Sequence, residues 1–83
     1  MADFSKQWVE LNDPEMGGWD FDIEKVASEL PKSTMIPYIC EGFGFLAIGK
    51  DENDNIHLAM PTGNHSDEGS EVEWKTLKEV ING

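Results

Sequence analysis

The 83-residue sequence has no arginine, and this shortage excludes one class of partner. Arginine provides the planar fork that binds phosphates and carboxylates through two hydrogen bonds at once. Without it, 17 acidic residues stand against six lysines, for a net charge of −11. A surface with this charge repels a phosphate backbone and anionic lipid. We therefore predict that the chain binds neither nucleic acid nor membrane, and that basic or neutral protein surfaces are its favoured partners.

Cysteine and long apolar runs are also scarce. Cys40 is the only cysteine, so an intrachain disulfide is excluded, and it lies in a strand-like segment where a lone thiol is usually a small buried side chain. No apolar run reaches the length of a signal peptide or a membrane span. These features predict a cytoplasmic protein.

The chain has apolar residues for one core, and its acids are unevenly distributed. Apolar residues make up 39% of the sequence, and a second core would need roughly 50 further residues, so we predict one acidic domain over residues 1–83. Residues 1–24 and 51–73 hold seven acids each, whereas residues 25–50 hold only two. Two acidic blocks thus flank a nearly neutral centre.

Helical spacing dominates the first third of the sequence. Phe4, Trp8 and Leu11 favour a first helix, with a short strand over residues 8–11 as the alternative. Asp22 is placed to cap a second helix, whose apolar stripe ends at Leu30 because the next residue is Pro31.

The central part of the sequence has a β pattern. Residues 34–40 predict a strand at an edge or with a bulge, since Pro37 lacks a hydrogen-bond donor. Residues 43–48 predict the next strand, the polar residues 50–55 a hairpin loop, and residues 56–60 a returning strand that ends at Pro61.

The last third of the sequence is predicted as a loop and a helix. Residues 61–69 are rich in turn-forming residues and indicate a loop. Residues 70–73 match a capping box, which predicts a helix running to Asn82; a short strand followed by a shorter helix is the alternative. Together these elements predict an α+β fold, a small antiparallel sheet of about three strands with two or three helices packed on one face.

One segment resembles a known motif. Residues 41–48, read as EGFGFLAI, match six of the eight positions of the conserved octapeptide of RNA-recognition domains. The resemblance implies that Phe43 and Phe45 lie on a strand and stack on bases. The leading basic residue of that motif is Glu41 here, and its final aromatic residue is Ile48. We therefore interpret the two phenylalanines as core or interface residues, and no family is recognised over the whole chain.

Other chemical patterns are incomplete. Residues 51–55 begin like a calcium loop, but Ile56 stands where the glycine belongs and Thr62 where the bidentate glutamate belongs. Cys40, His57 and His65 lack the spacing of a zinc site. Cys40 and His57 meet only if neighbouring strands bring them together, and nothing provides an oxyanion hole. We predict no catalytic residue, no metal and no cofactor, and hence no enzyme.

The remaining interpretation is a protein-binding module. Large aromatic residues ringed by carboxylates are suited to anchoring an interface. The predicted anchors are Trp8, Trp19, Tyr38, Phe43, Phe45 and Trp74. The partner is another protein or a second copy in a homodimer, joined through the edge near Pro37 or through the aromatic sheet face.

Two other functions fit the composition. If the two acidic blocks form one surface, the chain is a nucleic-acid mimic that inhibits a basic DNA- or RNA-binding protein. If a pocket lies between helices and sheet, lined by Tyr38, Cys40, His57 and nearby acids, the chain binds a small molecule or a cation.

Overall fold

A computed structural model describes residues 4, 8–18, 20–67 and 69–82, and it shows a protein built mainly of strands. The elements are β1 (Trp8–Val9), β2 (Glu15–Gly17), α1 (Ile23–Glu29), β3 (Thr34–Cys40), β4 (Ala47–Lys50), β5 (Ile56–Ser66), β6 (Gly69–Thr76) and α2 (Leu77–Asn82). The sheet has six strands in the order β1-β6-β5-β4-β3-β2. All pairs are antiparallel except β2 with β3, which is parallel. The predicted fold of about three antiparallel strands under two or three helices is therefore wrong.

The helix α1 and the strand β3 form where the sequence predicts them. The side chain of Asp22 accepts a hydrogen bond from the Lys25 backbone N–H at 3.1 Å, so it caps α1 as expected. The Tyr38 N–H donates to the carbonyl of Leu46, directly before β4, and alternation along the strand therefore turns the backbone nitrogen of Pro37 away from β4. On the other edge of β3, the strand β2 pairs only with residues 38–40. No strand therefore lies opposite Pro37 on that edge, and its missing N–H interrupts no ladder of hydrogen bonds.

Residues 61–69 are the largest departure from the sequence-based expectation. They are not a loop: β5 continues through Pro61 to Ser66 and forms a long hairpin with β6. The carbonyl of Ala59 accepts a hydrogen bond from Leu46, so Ala59 faces β4, and Pro61 two residues later faces the same side. Because β4 begins only at Ala47, no strand lies beside Pro61 on that edge of β5, and no hydrogen bond is lost through its missing N–H.

The two ends of the chain also differ from the favoured predictions. Residues 70–76 belong to β6, and the helix α2 is confined to Leu77–Asn82, which matches the alternative reading. Trp8 and Val9 pair with Glu71 and Ser70 as a strand, so the first helix is wrong at these positions. The β4 strand is also shorter than predicted, because residues 41–46 form a turn and a loop.

The sheet separates two apolar clusters. The first contains Phe45, Ile48 and Leu58, each 0% exposed, and α1 and α2 pack against it through Val26 and Leu77. The second cluster consists of the buried residues Val9, Ala47, Ala59 and Val72, with Leu11, Met35, Leu46 and Trp74 packed on it. Alternation along β4 explains the division, since Ala47 and Ile48 point to opposite faces.

The connection from β1 to β2 shows that the sheet is curved. These strands lie at opposite edges, and five strand spacings in a flat sheet are about 24 Å. The six residue steps from Val9 to Glu15 span at most about 22 Å. The edges must therefore approach each other, and Leu11 of the connection packs on the second cluster. In the described part of the chain, neither helix is long and apolar enough to cross a membrane.

Candidate functional site

Four aromatic side chains meet where β3 turns into β4. The Phe21 ring lies 5.0 Å from Tyr38 and 5.8 Å from Phe45, and the Phe45 ring lies 6.4 Å from both Tyr38 and Phe43. We call these four residues the aromatic end of the sheet. It brings together three of the predicted anchors, Tyr38, Phe43 and Phe45, and adds Phe21, which the sequence reading did not select.

The two phenylalanines of the octapeptide-like segment have different environments. Phe45 is 0% exposed in the first cluster, whereas Phe43 lies in the turn after β3 and is 37% exposed. Gly44 permits this turn, since its φ is +79°. Neither ring lies on the strand β4, and the buried Phe45 ring has no free face for a base. The segment thus lacks the side-by-side aromatic pair that the RNA-recognition motif requires.

The tryptophans do not join the aromatic end. Trp8 is half-buried on β1, at the opposite edge of the sheet from β2. Trp74 is half-buried on β6 and packs edge-on against Phe4, with ring centres 5.1 Å apart. Trp19 lies outside the described residues. Of the predicted anchors, Phe43 is therefore the most exposed one in the described part of the chain.

Carboxylates surround the aromatic end. Glu15 is opposite Tyr38 in the β2–β3 register, and Asp20 directly precedes Phe21. Glu41 begins the turn that carries Phe43, and its N–H donates to Gly17 at 3.3 Å. The side chains of Glu15, Asp20 and Glu41 are exposed, and none pairs with a lysine in the described part of the chain. This end is acidic as well as aromatic.

The lysines lie at the opposite end of the sheet. Four of the five lysines that the structure describes are there, at the ends of β4 and β6 and on the elements beside them: Lys32, Lys50, Lys75 and Lys78. We call this the lysine end. The ion pair between Lys32 and Asp54, at 3.3 Å, belongs to it. The fold therefore gathers most of the described lysines away from the aromatic end, at an end that also carries Asp51, Glu52, Asp54 and Glu79.

At the lysine end, Asp51 organises the hairpin between β4 and β5. Its Oδ1 accepts hydrogen bonds from the backbone N–H groups of Asn53 at 2.8 Å and Asn55 at 2.9 Å, and its Oδ2 lies 2.9 Å from His57 Nε2. The bond to His57, followed by those backbone bonds, holds the pKa of Asp51 well below its usual range. Because these oxygens bind the hairpin itself, the calcium-like segment is a structural turn.

His57, the partner of Asp51, is largely buried. Its side chain is 19% exposed, and its ring stacks on Phe4 with centres 4.1 Å apart. The six-residue spacing of Asp51 and His57 across a hairpin was the available signal for this pair. Cys40, 1% exposed, belongs to the first cluster, whereas His57 shares a strand face with Ala59 of the second. The sheet thus separates this thiol from the imidazole.

A second carboxylate supports the long hairpin. Glu71 Oε1 accepts hydrogen bonds from Thr62 Oγ1 at 2.7 Å and Asn64 Nδ2 at 3.1 Å. These bonds, the one from Thr62 first, lower the pKa of Glu71. They span the irregular part of the β5–β6 register, between Pro61 and His65. Glu71 therefore stabilises a β-bulge. Among the residues that the structure describes, no group of three or more His, Cys, Asp and Glu side chains is placed to hold a metal ion.

Comparison with known proteins yields no relative: no family model, no curated protein and no solved structure matches the chain significantly. The candidate site therefore rests on its own geometry.

Proposed function

We propose that this chain is a non-enzymatic binding module whose aromatic end takes up a basic segment of a partner protein. The observation that carries the proposal is the exposed Phe43 ring at an end of the sheet whose exposed carboxylates, Glu15, Asp20 and Glu41, form no ion pair with a described lysine. An aromatic ring face attracts ammonium and guanidinium groups, and nearby carboxylates form charge-assisted hydrogen bonds with them. The chemistry of the site thus fits lysine and arginine side chains.

Charge favours a basic partner over a second copy of the chain. Two copies at −11 each repel, and the carboxylates around Phe43 would face their own kind in a two-fold contact. The open edge of β3 offers little in compensation. Of residues 34–37, only Met35 and Pro37 turn their backbone groups away from β4, and Pro37 has no N–H to donate. A homodimer through this edge would gain a single backbone donor per strand.

The geometry also bears on the alternative of nucleic-acid mimicry. That function needs the acidic blocks 1–24 and 51–73 to form one surface. The second block is divided, since Asp51 and Asp54 lie in the β4–β5 hairpin, whereas Asp67 lies at the far end of the β5–β6 hairpin. The aromatic end, with its smaller group of carboxylates, is suited to a peptide segment more than to a long basic groove.

Selection from a displayed peptide library tests the proposal. The wild-type chain is immobilised beside the Phe43→Ala variant, and Lys78→Gln, altered at the lysine end, is the matched control. We expect the wild type and Lys78→Gln to enrich peptides rich in arginine or lysine. Phe43→Ala should bind the enriched peptides about ten- to a hundredfold more weakly, as expected for loss of an interface anchor.

The Glu41→Gln variant separates the contribution of charge from that of the ring. It should weaken binding and flatten its dependence on salt, because one carboxylate contact is lost. Enrichment of apolar or acidic peptides would contradict the proposal, as would equal binding by the wild type and Phe43→Ala.

A further inference from the structure

A groove lies at the lysine end, away from the aromatic end. It runs between the tip of the β4–β5 hairpin and the helix α2, with a volume of about 360 Å³. The lining residues are Asp54, Asn55, Ile56, Thr76, Leu77, Lys78 and Ile81. Tyr38, Cys40 and His57, which were predicted to line a pocket, do not belong to it.

The groove is apolar on one side and open to water on the other. Ile56 and Leu77 are half-buried and connect it to the first cluster, while Ile81 is 54% exposed on α2. An isoleucine this exposed on a short helix gains little from the fold itself. Its apolar surface is available to cover an apolar ligand.

One acidic and one basic side chain line the groove, Asp54 and Lys78, and only the basic one is without an ion pair among the described residues. Asp54 is occupied by its ion pair with Lys32, 3.3 Å away. Lys78 lines the groove and has no ion pair with any carboxylate among the described residues. Lys50 and Lys75 lie at the same end, and so do Asp51, Glu52 and Glu79, so the positive charge available to an anion in the groove is that of Lys78.

We propose that the groove binds a small amphiphilic carboxylate, with its aliphatic tail on Ile56, Leu77 and Ile81 and its carboxylate at Lys78. The volume sets the size of this ligand. At about 30 Å³ for each water-sized group, 360 Å³ holds about a dozen non-hydrogen atoms. A medium-chain fatty acid such as octanoate fits this limit, and its affinity should be of millimolar order because the groove is open.

Titration of the labelled chain with octanoate, followed by amide chemical shifts, tests the proposal. Octan-1-ol and octylammonium have the same tail with no charge and with the opposite charge. We expect octanoate to shift the amides of Asn55, Ile56 and residues 76–81 in a saturable way. Octan-1-ol should bind more weakly, and octylammonium should leave these amides unshifted.

Three variants sharpen the experiment. Lys78→Gln should weaken octanoate about two- to fivefold and leave octan-1-ol unchanged, as expected for an exposed ion pair. Ile81→Ser should weaken both ligands, and its exposed position keeps the fold intact. Lys75→Gln, at the same end but outside the lining, should match the wild type.

Two results would overturn the proposal: no saturable shift in the groove, or equal octanoate affinity in the wild type and Lys78→Gln. The test is independent of the partner-binding proposal, because Phe43→Ala should bind octanoate as the wild type does.

Discussion

The two phenylalanines of the octapeptide-like segment should respond very differently to truncation. Phe45 is 0% exposed, so Phe45→Ala leaves a cavity in the first cluster and should lower the free energy of unfolding by about 3–5 kcal/mol. Phe43 is 37% exposed, so Phe43→Ala loses about two thirds of the burial energy of a phenylalanine, or about 1–2 kcal/mol. The total stability of an 83-residue domain is about 4–12 kcal/mol, so Phe45→Ala removes a large share of it.

Urea unfolding followed by tryptophan fluorescence measures this difference. With a slope of about 1 kcal/mol per molar urea, the midpoint should fall by about 3–5 M for Phe45→Ala and by about 1–2 M for Phe43→Ala. If Phe45→Ala does not fold, Phe45→Leu keeps the comparison measurable, with an expected loss of about 1 kcal/mol. Equal losses for the two alanine variants, or a larger loss for Phe43→Ala, would refute the assignment of Phe45 to the core and Phe43 to the surface.

Three further predictions concern stability and accessibility. Folding lowers the pKa of Asp51, so its carboxylate stabilises the fold fully at neutral pH and progressively less as the pH falls below about 4. Asp51→Asn should therefore lower the urea midpoint at pH 7, and the difference in midpoint between variant and wild type should shrink in acid. Gly69 has a φ of +124°, and a Cβ at this position would meet the Val9 carbonyl, so Gly69→Ala should lower the free energy of unfolding by about 1–3 kcal/mol in the same assay. A Cβ at Gly18 meets open space, so Gly18→Ala should change this free energy by less than about 0.5 kcal/mol. The Cys40 thiol, 1% exposed, should react with a thiol reagent only at the rate of unfolding, and rapid labelling of the native chain would contradict its burial.

Local signals in the sequence predicted several elements correctly. The cap at Asp22, the stop at Pro31 and the polar hairpin at residues 50–55 depend on contacts between neighbours in the sequence, and each is present. The strand β3 was also predicted with its observed bounds, Thr34–Cys40, because its β-branched and aromatic residues favour the extended conformation.

The errors arose where tertiary pairing overrides local preference. Turn-forming residues such as Gly63 and Asn64 indicated a loop, but β6 supplies a partner strand and Glu71 accepts hydrogen bonds from Thr62 and Asn64. The capping box over residues 70–73 was wrong for the same reason, since those positions pair with β5.

The candidate site was predictable only in part. Aromatic anchors were expected, and Tyr38, Phe43 and Phe45 do cluster. The contact of Phe21 with this cluster and the position of the lysines at the other end of the sheet depend on strand order. Strand order for six short strands is set by long-range pairing that no single segment encodes.

The most direct test of the proposed function is to map a bound basic peptide on the labelled chain. An arginine- and lysine-containing peptide from the library selection is titrated while amide chemical shifts are followed. We predict saturable shifts at residues 15–17 and 41–44, at the aromatic end, and their loss in Phe43→Ala. Shifts confined to the acidic hairpin at residues 51–55, or spread over all exposed carboxylates, would contradict a specific site at the aromatic end.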